Sequence, residues 1–210
     1  SLNINTTANC SGAITPWNTI ITCEEYTSKE IKNRYSSIVQ DSWVKVDGDL
    51  NGYDGFGWAI EIDPISKTVI HQDGGRNGQD KLWAMGNFKH ENAVVHDNLR
   101  TGYQGADDTV GEGFLFKFVA DFGKNLSSGK LYVFKEIDSS TGEWIELANS
   151  TINEQNSTLA QCDALGATSF AGIEDVDISP IDGKIYFAVK GDGKVYRFKD
   201  SDALTGTTIS

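Results

Sequence analysis

The 210-residue sequence predicts an all-β fold of the β-propeller type, small or partial, with minor helical and loop insertions. Three observations point there. Short β-type runs recur along the chain, separated by Gly, Asp and Asn turns. Glycine is abundant at 22 and proline scarce at 3, so the turns rest on Gly, Asn and Asp rather than on Pro. The C-terminal region reads as strand, Pro-x-Asp-Gly, strand, Gly-x-Gly, strand, the pattern of the inner three strands of a blade.

From the N-terminus, the expected strands are Thr19–Thr22, Gly57–Asp63, Thr68–Gln72, Ala93–His96, Thr101–Gln104, Gly113–Val119, Lys130–Ile137, Gly142–Leu147, Glu174–Ser179, Gly183–Lys190 and Gly193–Phe198. Many alternate apolar with polar residues or carry β-branched and aromatic side chains. The segment from Trp58 to Gln72 echoes the C-terminal pattern, as does Phe114–Val119 followed by Leu131–Lys135, without a fixed-period repeat. One helix is expected from Glu24 to Arg34 or somewhat beyond. The polar stretch Asn149–Ser169 reads as a loop, or a small insertion with a helical turn. No boundary divides the chain, so residues 1–210 read as one domain or part of one.

Apolar residues make up 39% and aromatics 10%, enough for a core. The net charge of −12 argues against nucleic acid as a partner, because polyanions are repelled. It fits either a soluble, salt-adapted surface or clustered carboxylates neutralised by bound cations. No apolar run is long enough to span a membrane, and no signal peptide is present. The chain begins at Ser1 in a polar Asn/Thr segment, which reads as a processed or truncated piece of a longer protein.

Six groups of residues carry candidate chemistry. Cys10 lies in Asn-Cys-Ser-Gly-Ala, a small-residue turn that leaves sulfur accessible as a soft ligand; the alternatives are an inert buried thiol or a disulfide with Cys23 or Cys162. Glu24 and Glu25 stand at a strand end, as ligands or as a solvated pair opening the next helix. Lys89, His90 and Glu91 follow Phe88, with Lys89 suited to an anion and His90 or Glu91 to a metal. Neighbours on a strand point to opposite faces, so His90 and Glu91 are not expected to share one ion. Asp107 and Asp108 end a Gly turn after Tyr103. Asp47, Asp49 and Asn51, with Gly52, follow the calcium-loop spacing Asp-x-Asp-x-Asn-Gly. The twelfth position is Trp58 rather than Glu, which leaves Asp54 as a late ligand, or the segment as an acidic hairpin turn. Glu174 opens an acidic strand whose end can aim it into a central channel or merely blunt a sheet edge.

In this order the segments resemble the PhoX alkaline phosphatase family. Its opening signature is similar to the run from Cys10 through Thr15-Pro16-Trp17 to Glu24-Glu25. Gly57–Pro64, Phe88–Glu91, Tyr103–Asp108, Phe114–Val119 and the strand around Glu174 follow in the family's order. The resemblance implies an extracytoplasmic β-propeller, periplasmic, secreted or on the cell surface, that hydrolyses phosphate monoesters with iron and calcium in its central channel. It maps Cys10 to a thiolate on iron, and Glu25 or Glu24, Glu91, Asp108 and Glu174 to carboxylates on iron or calcium. A metal-activated oxygen would be the nucleophile, with Lys89 and His90 handling an anion or a proton. The family carries Arg-Pro before its final Glu, and the chain has Gly172-Ile173 there; Ala13 and Asn18 replace two signature glycines. The rival readings are a non-enzymatic calcium-binding propeller with a surface adhesion or assembly role, and a calcium-only hydrolase such as a lactonase.

Overall fold

The structure is a computed structural model that describes residues 6–34, 54–70 and 81–210. Three antiparallel sheets carry it. The first contains β1 (Asn9–Ile14), β2 (Ile20–Glu24), β3 (Ala59–Asp63) and β4 (Thr68–Val69), in that order, with helix α1 (Ser28–Arg34) after β2. The second is built from β5 (His90–Val95), β6 (Thr101–Ala106), β7 (Leu115–Phe122), β8 (Asn125–Asp138) and β9 (Thr141–Glu146), and β13 (Thr208–Ile209) extends it beside β9. The third is β10 (Ile173–Ile178), β11 (Ile185–Val189) and β12 (Lys194–Phe198). The all-β expectation therefore holds. The first strand of each sheet lies at an edge, and these edges converge: β1 and β2 pack on β5, and β10 packs on β5 and β6. Sheets arranged about converging edges make the layout propeller-like.

Strand β7 shows why the second sheet lies between the other two. Its residues alternate between two cores rather than between core and water. Phe116, Phe118 and Ala120 enter a cluster with Ile21, Cys23 and Phe88 of the first sheet's side. Leu115 joins Ile173, Phe187 and Phe198 on the third sheet's side. Lys117 points to that second side as well and is 1% exposed. Its ammonium pairs with Asp200 at 2.6 Å, and Asp200 also accepts the Tyr103 hydroxyl at 2.7 Å, so the buried charge is matched.

Several expectations change. Asn9–Ala13, read as a small-residue turn, belongs to strand β1 (Asn9–Ile14), with a bulge in its pairing to β2 between Asn9 and Gly12. A side chain at Gly12 would put its Cβ 1.9 Å from the Ile21 carbonyl oxygen, so the hairpin closes only on glycine. Ala13, one residue on, is tolerated in the family's glycine position. Helix α1 starts at Ser28 rather than at Glu24, because Glu24 completes β2 and Thr27 bonds Glu30 ahead of the helix. The polar stretch after Asn149 forms two helices, α2 (Ile152–Asn156) and α3 (Thr158–Leu165). Thr151 and Glu154 make a capping box at the first, and Gly166 at φ 62° ends the second. Among the described residues, no helix is long and apolar enough to cross a membrane.

Candidate metal centre

The hairpin of β1 and β2 is secured by the residues between its strands. Thr15 to Asn18 form a turn closed by Asn18 N–H donating to the Thr15 carbonyl at 2.9 Å. Asn18 takes φ 66°, the left-handed conformation open to glycine and asparagine, which accounts for Asn where the resembling signature has Gly. Trp17 Nε1 and Thr19 Oγ1 both donate to Glu61 Oε1 of β3, at 2.8 and 2.5 Å. Glu61 thus fastens the turn from the next strand.

This frame carries Cys10 on β1 and Glu25 just after β2 to the edge of β5, where Glu91 waits. The ligand atoms of Cys10, Glu25 and Glu91 all lie within 4.8 Å of one another. The Cys10 thiol donates to Glu91 Oε1 at 2.9 Å. That hydrogen bond, with partial burial and the charges of Glu91, Glu25 and Glu174, pushes the thiol up to about 12. Burial, helped by Glu174, Asp107 and Glu25, pushes the Glu91 carboxyl up to about 7 against the opposing Cys10 bond. Crowded anions without a counter-cation hold protons instead. A thiolate with carboxylates suits a transition metal such as iron, and a cation here would stabilise the deprotonated form of both groups. The residues present therefore fit a metal.

Glu174 of β10 and Asp107, just past β6, extend this acidic surface, and Lys190 bridges them at 2.7 and 2.6 Å. Asn92 locks β10 against β5. Its side chain donates to the Val176 carbonyl at 2.9 Å and accepts Val176 N–H at 3.0 Å. These two bonds tie β5, which carries Glu91, to β10, which carries Glu174.

The other expected site residues are placed elsewhere. Glu24 is buried away from the thiol, where it accepts Lys81 Nζ at 2.8 and 2.9 Å and the amides of Gly57 and Trp58 at 3.0 and 3.2 Å. Burial raises its carboxyl. Of the adjacent pair, Glu25 is the one at the cluster. Asp108 turns from the cluster and accepts Lys89 at 2.6 Å and Val110 N–H at 2.7 Å. Lys89 also pairs with Glu30 at 2.8 Å, and these groups border a cavity of about 190 Å³. Lys89 is therefore committed to two carboxylates. His90 is wholly buried, stacked on Phe88 at 3.7 Å, with Nε2 2.9 Å from the Gly86 carbonyl oxygen. Burial pushes its imidazole down to about 4, so it is a neutral core group and is not brought to the cluster. The opposite-face expectation for His90 and Glu91 holds. All three cysteines are free, which removes the disulfide alternative. Asp47, Asp49 and Asn51 lie outside the described residues.

Lys190 was missed from sequence, where it carries no local signal; of the two acids ending the Gly turn, the resemblance pointed to Asp108, and the structure brings Asp107 instead. Lys190 reaches Glu174 because Ile173 pairs with Val189 across the β10–β11 hairpin.

The comparisons with known proteins agree with this fold. A solved structure described as Pseudomonas fluorescens PhoX in complex with vanadate, a transition state analogue, superposes with a TM-score of 0.67 at 24% identity. The match covers 97% of this chain and 47% of the other, so the chain spans about half the length of that relative. No curated protein sequence shows significant similarity to the chain. The family model for Alkaline phosphatase PhoX matches residues 3–204. On that match over nearly its whole length, the chain belongs to the alkaline phosphatase PhoX family.

Proposed function

We propose that the chain takes part in metal-dependent hydrolysis of phosphate monoesters outside the cytoplasm. The observation that carries this reading is the convergence of Cys10, Glu25 and Glu91 within 4.8 Å at the meeting of the sheets. Cys10, Glu25 and Glu91 would hold iron; Glu174 and Asp107 offer hard oxygens suited to calcium. Bound there, such ions would supply Lewis acidity toward a phosphoryl oxygen and activation of a water nucleophile. The chain's own residues set the stage. Cys10 and Glu91 share a proton-bearing contact that a cation would discharge, Asn92 fixes the distance between two of the ligand strands, and Glu61 fixes the third. The inner ends of the three sheets would face a propeller channel.

The absence of Arg at 172 or 173 favours a second reading, a calcium-binding propeller without catalysis, because an Arg fork is a strong two-bond phosphate grip. One experiment separates them: elemental analysis of chain purified without chelators, alongside hydrolysis of p-nitrophenyl phosphate. Iron and calcium with turnover are expected, and Cys10→Ser should lose the iron. Calcium without iron, and no turnover, would favour the second reading. Neither metal would refute both.

A further inference from the structure

Lys190 sits where a cation bound to Asp107 and Glu174 would sit. Its Nζ is 2.6 Å from Asp107 Oδ2 and 2.7 Å from Glu174 Oε1. Room for its stem comes from Gly172, at φ 81°, where a Cβ would stand 2.9 Å from Lys190 Cε and 2.8 Å from Asp107 Oδ1. Lys190 N–H bonds the Gly172 carbonyl at 3.0 Å, so the two residues are set against each other by the sheet. The Asp107 side chain is 8% exposed, and its Oδ1 is buried without a hydrogen-bond partner. This oxygen faces the same gap and has lone pairs to give. The Lys190 side chain is 43% exposed, so its ammonium has a route to water.

A calcium ion takes oxygens at about 2.3–2.6 Å. Such an ion and an ammonium cannot both lie between Asp107 Oδ2 and Glu174 Oε1. We propose that Lys190 is an internal counter-cation with two stations: it binds Asp107 and Glu174 when the site holds no calcium, and calcium displaces it toward the opening, where its ammonium meets the oxygens of a phosphate group. This rests on the metal-dependent reading above. It gives the chain a cation for the anion at a position where Gly172 and Ile173 supply none. Lys89 does not serve, since it is held by Glu30 and Asp108.

The test is calorimetric titration of chelator-stripped protein with calcium alone, then of calcium-loaded protein with inorganic phosphate. Wild type is compared with Lys190→Met and with Lys190→Gln, which keeps a neutral donor for the two carboxylates should the Met variant fail to fold. Removing a like charge a few ångströms from the ion should tighten calcium binding about ten- to a hundredfold. Phosphate affinity of the loaded variants should fall at least about tenfold. Equal calcium affinity in wild type and variants would overturn the displacement while leaving the metal site standing. Tighter calcium with unchanged phosphate binding would overturn the second station. Failure of wild type and variants alike to bind calcium would overturn the inference together with the metal reading.

Discussion

Replacing Lys81 with Met should destabilise the chain severely while leaving its metal content intact. Lys81 Nζ lies 2.8 Å from Glu24, with the two side chains 6% and 0% exposed, and it also donates to the Gly55 carbonyl. Glu24 also accepts two bonds, from the Gly57 and Trp58 amides. Methionine would leave a carboxylate in the core with its main charge partner gone. Breaking a buried pair from one side costs about 3–5 kcal/mol, because the remaining ion keeps its full desolvation penalty. At roughly 2–4 °C per kcal/mol for a chain of this size, the melting temperature should drop by about 6–20 °C. Thermal melts by circular dichroism, paired with iron and calcium analysis, read both quantities. Glu24→Gln combined with Lys81→Met should recover part of the loss, since no uncompensated charge remains. A Lys81→Met protein that melts within about 1 kcal/mol of the parent would refute the buried-pair argument. One that keeps its melting point after Glu24→Gln yet loses metal would make Glu24 a ligand after all.

Three further outcomes are expected. His90 is held neutral near 4, below its usual value of about 6.5, so the stability it allows is complete above pH 6.5 and declines as pH falls through 4. Its share of that decline is about 3 kcal/mol, and urea midpoints for His90→Gln should show a flatter fall between pH 7 and pH 4; a parallel fall would disprove the assignment. Asn92→Ala strands the Val176 carbonyl and leaves its amide only the Asp175 carboxylate at 3.0 Å, and should cost about 1–3 kcal/mol in urea unfolding; a cost below about 0.5 kcal/mol would mean that the edges of β5 and β10 are held by other contacts. Gly12→Ala drives a Cβ into the Ile21 carbonyl and should cost at least about 1–3 kcal/mol and weaken metal retention; an unchanged melting curve would show that the β1 bulge relaxes freely.

Much of the fold was legible because it is local. Alternation in Leu115–Val119 and in the C-terminal hairpins sets which side chains share a face, and Gly and Asp turns set where strands stop. Thr151 and Glu154 announced a helix start that the polar composition of the stretch obscured. Strand β1 was hidden for a related reason: Cys-Ser-Gly-Ala lacks β-branched and aromatic residues, and its pairing to β2 comes from the hairpin turn and from Gly12. The residues of the candidate site were mostly visible as types, with Cys10, Glu25, Glu91 and Glu174 all singled out by sequence.

What sequence determined by itself is the family, the strand-rich architecture and the stock of soft and hard ligands. What only tertiary structure decided is which member of each adjacent pair is brought to the acidic cluster. Glu24 and Glu25, His90 and Glu91, and Asp107 and Asp108 are adjacent potential ligands that point different ways from a strand or its end. Their roles are set by partners distant in sequence: Lys81 draws Glu24 into the core, Lys89 draws Asp108 aside, and Lys190 holds Asp107 beside Glu174. Backbone periodicity is encoded within a few residues, whereas the field felt by a carboxylate is a sum over everything the fold brings near it.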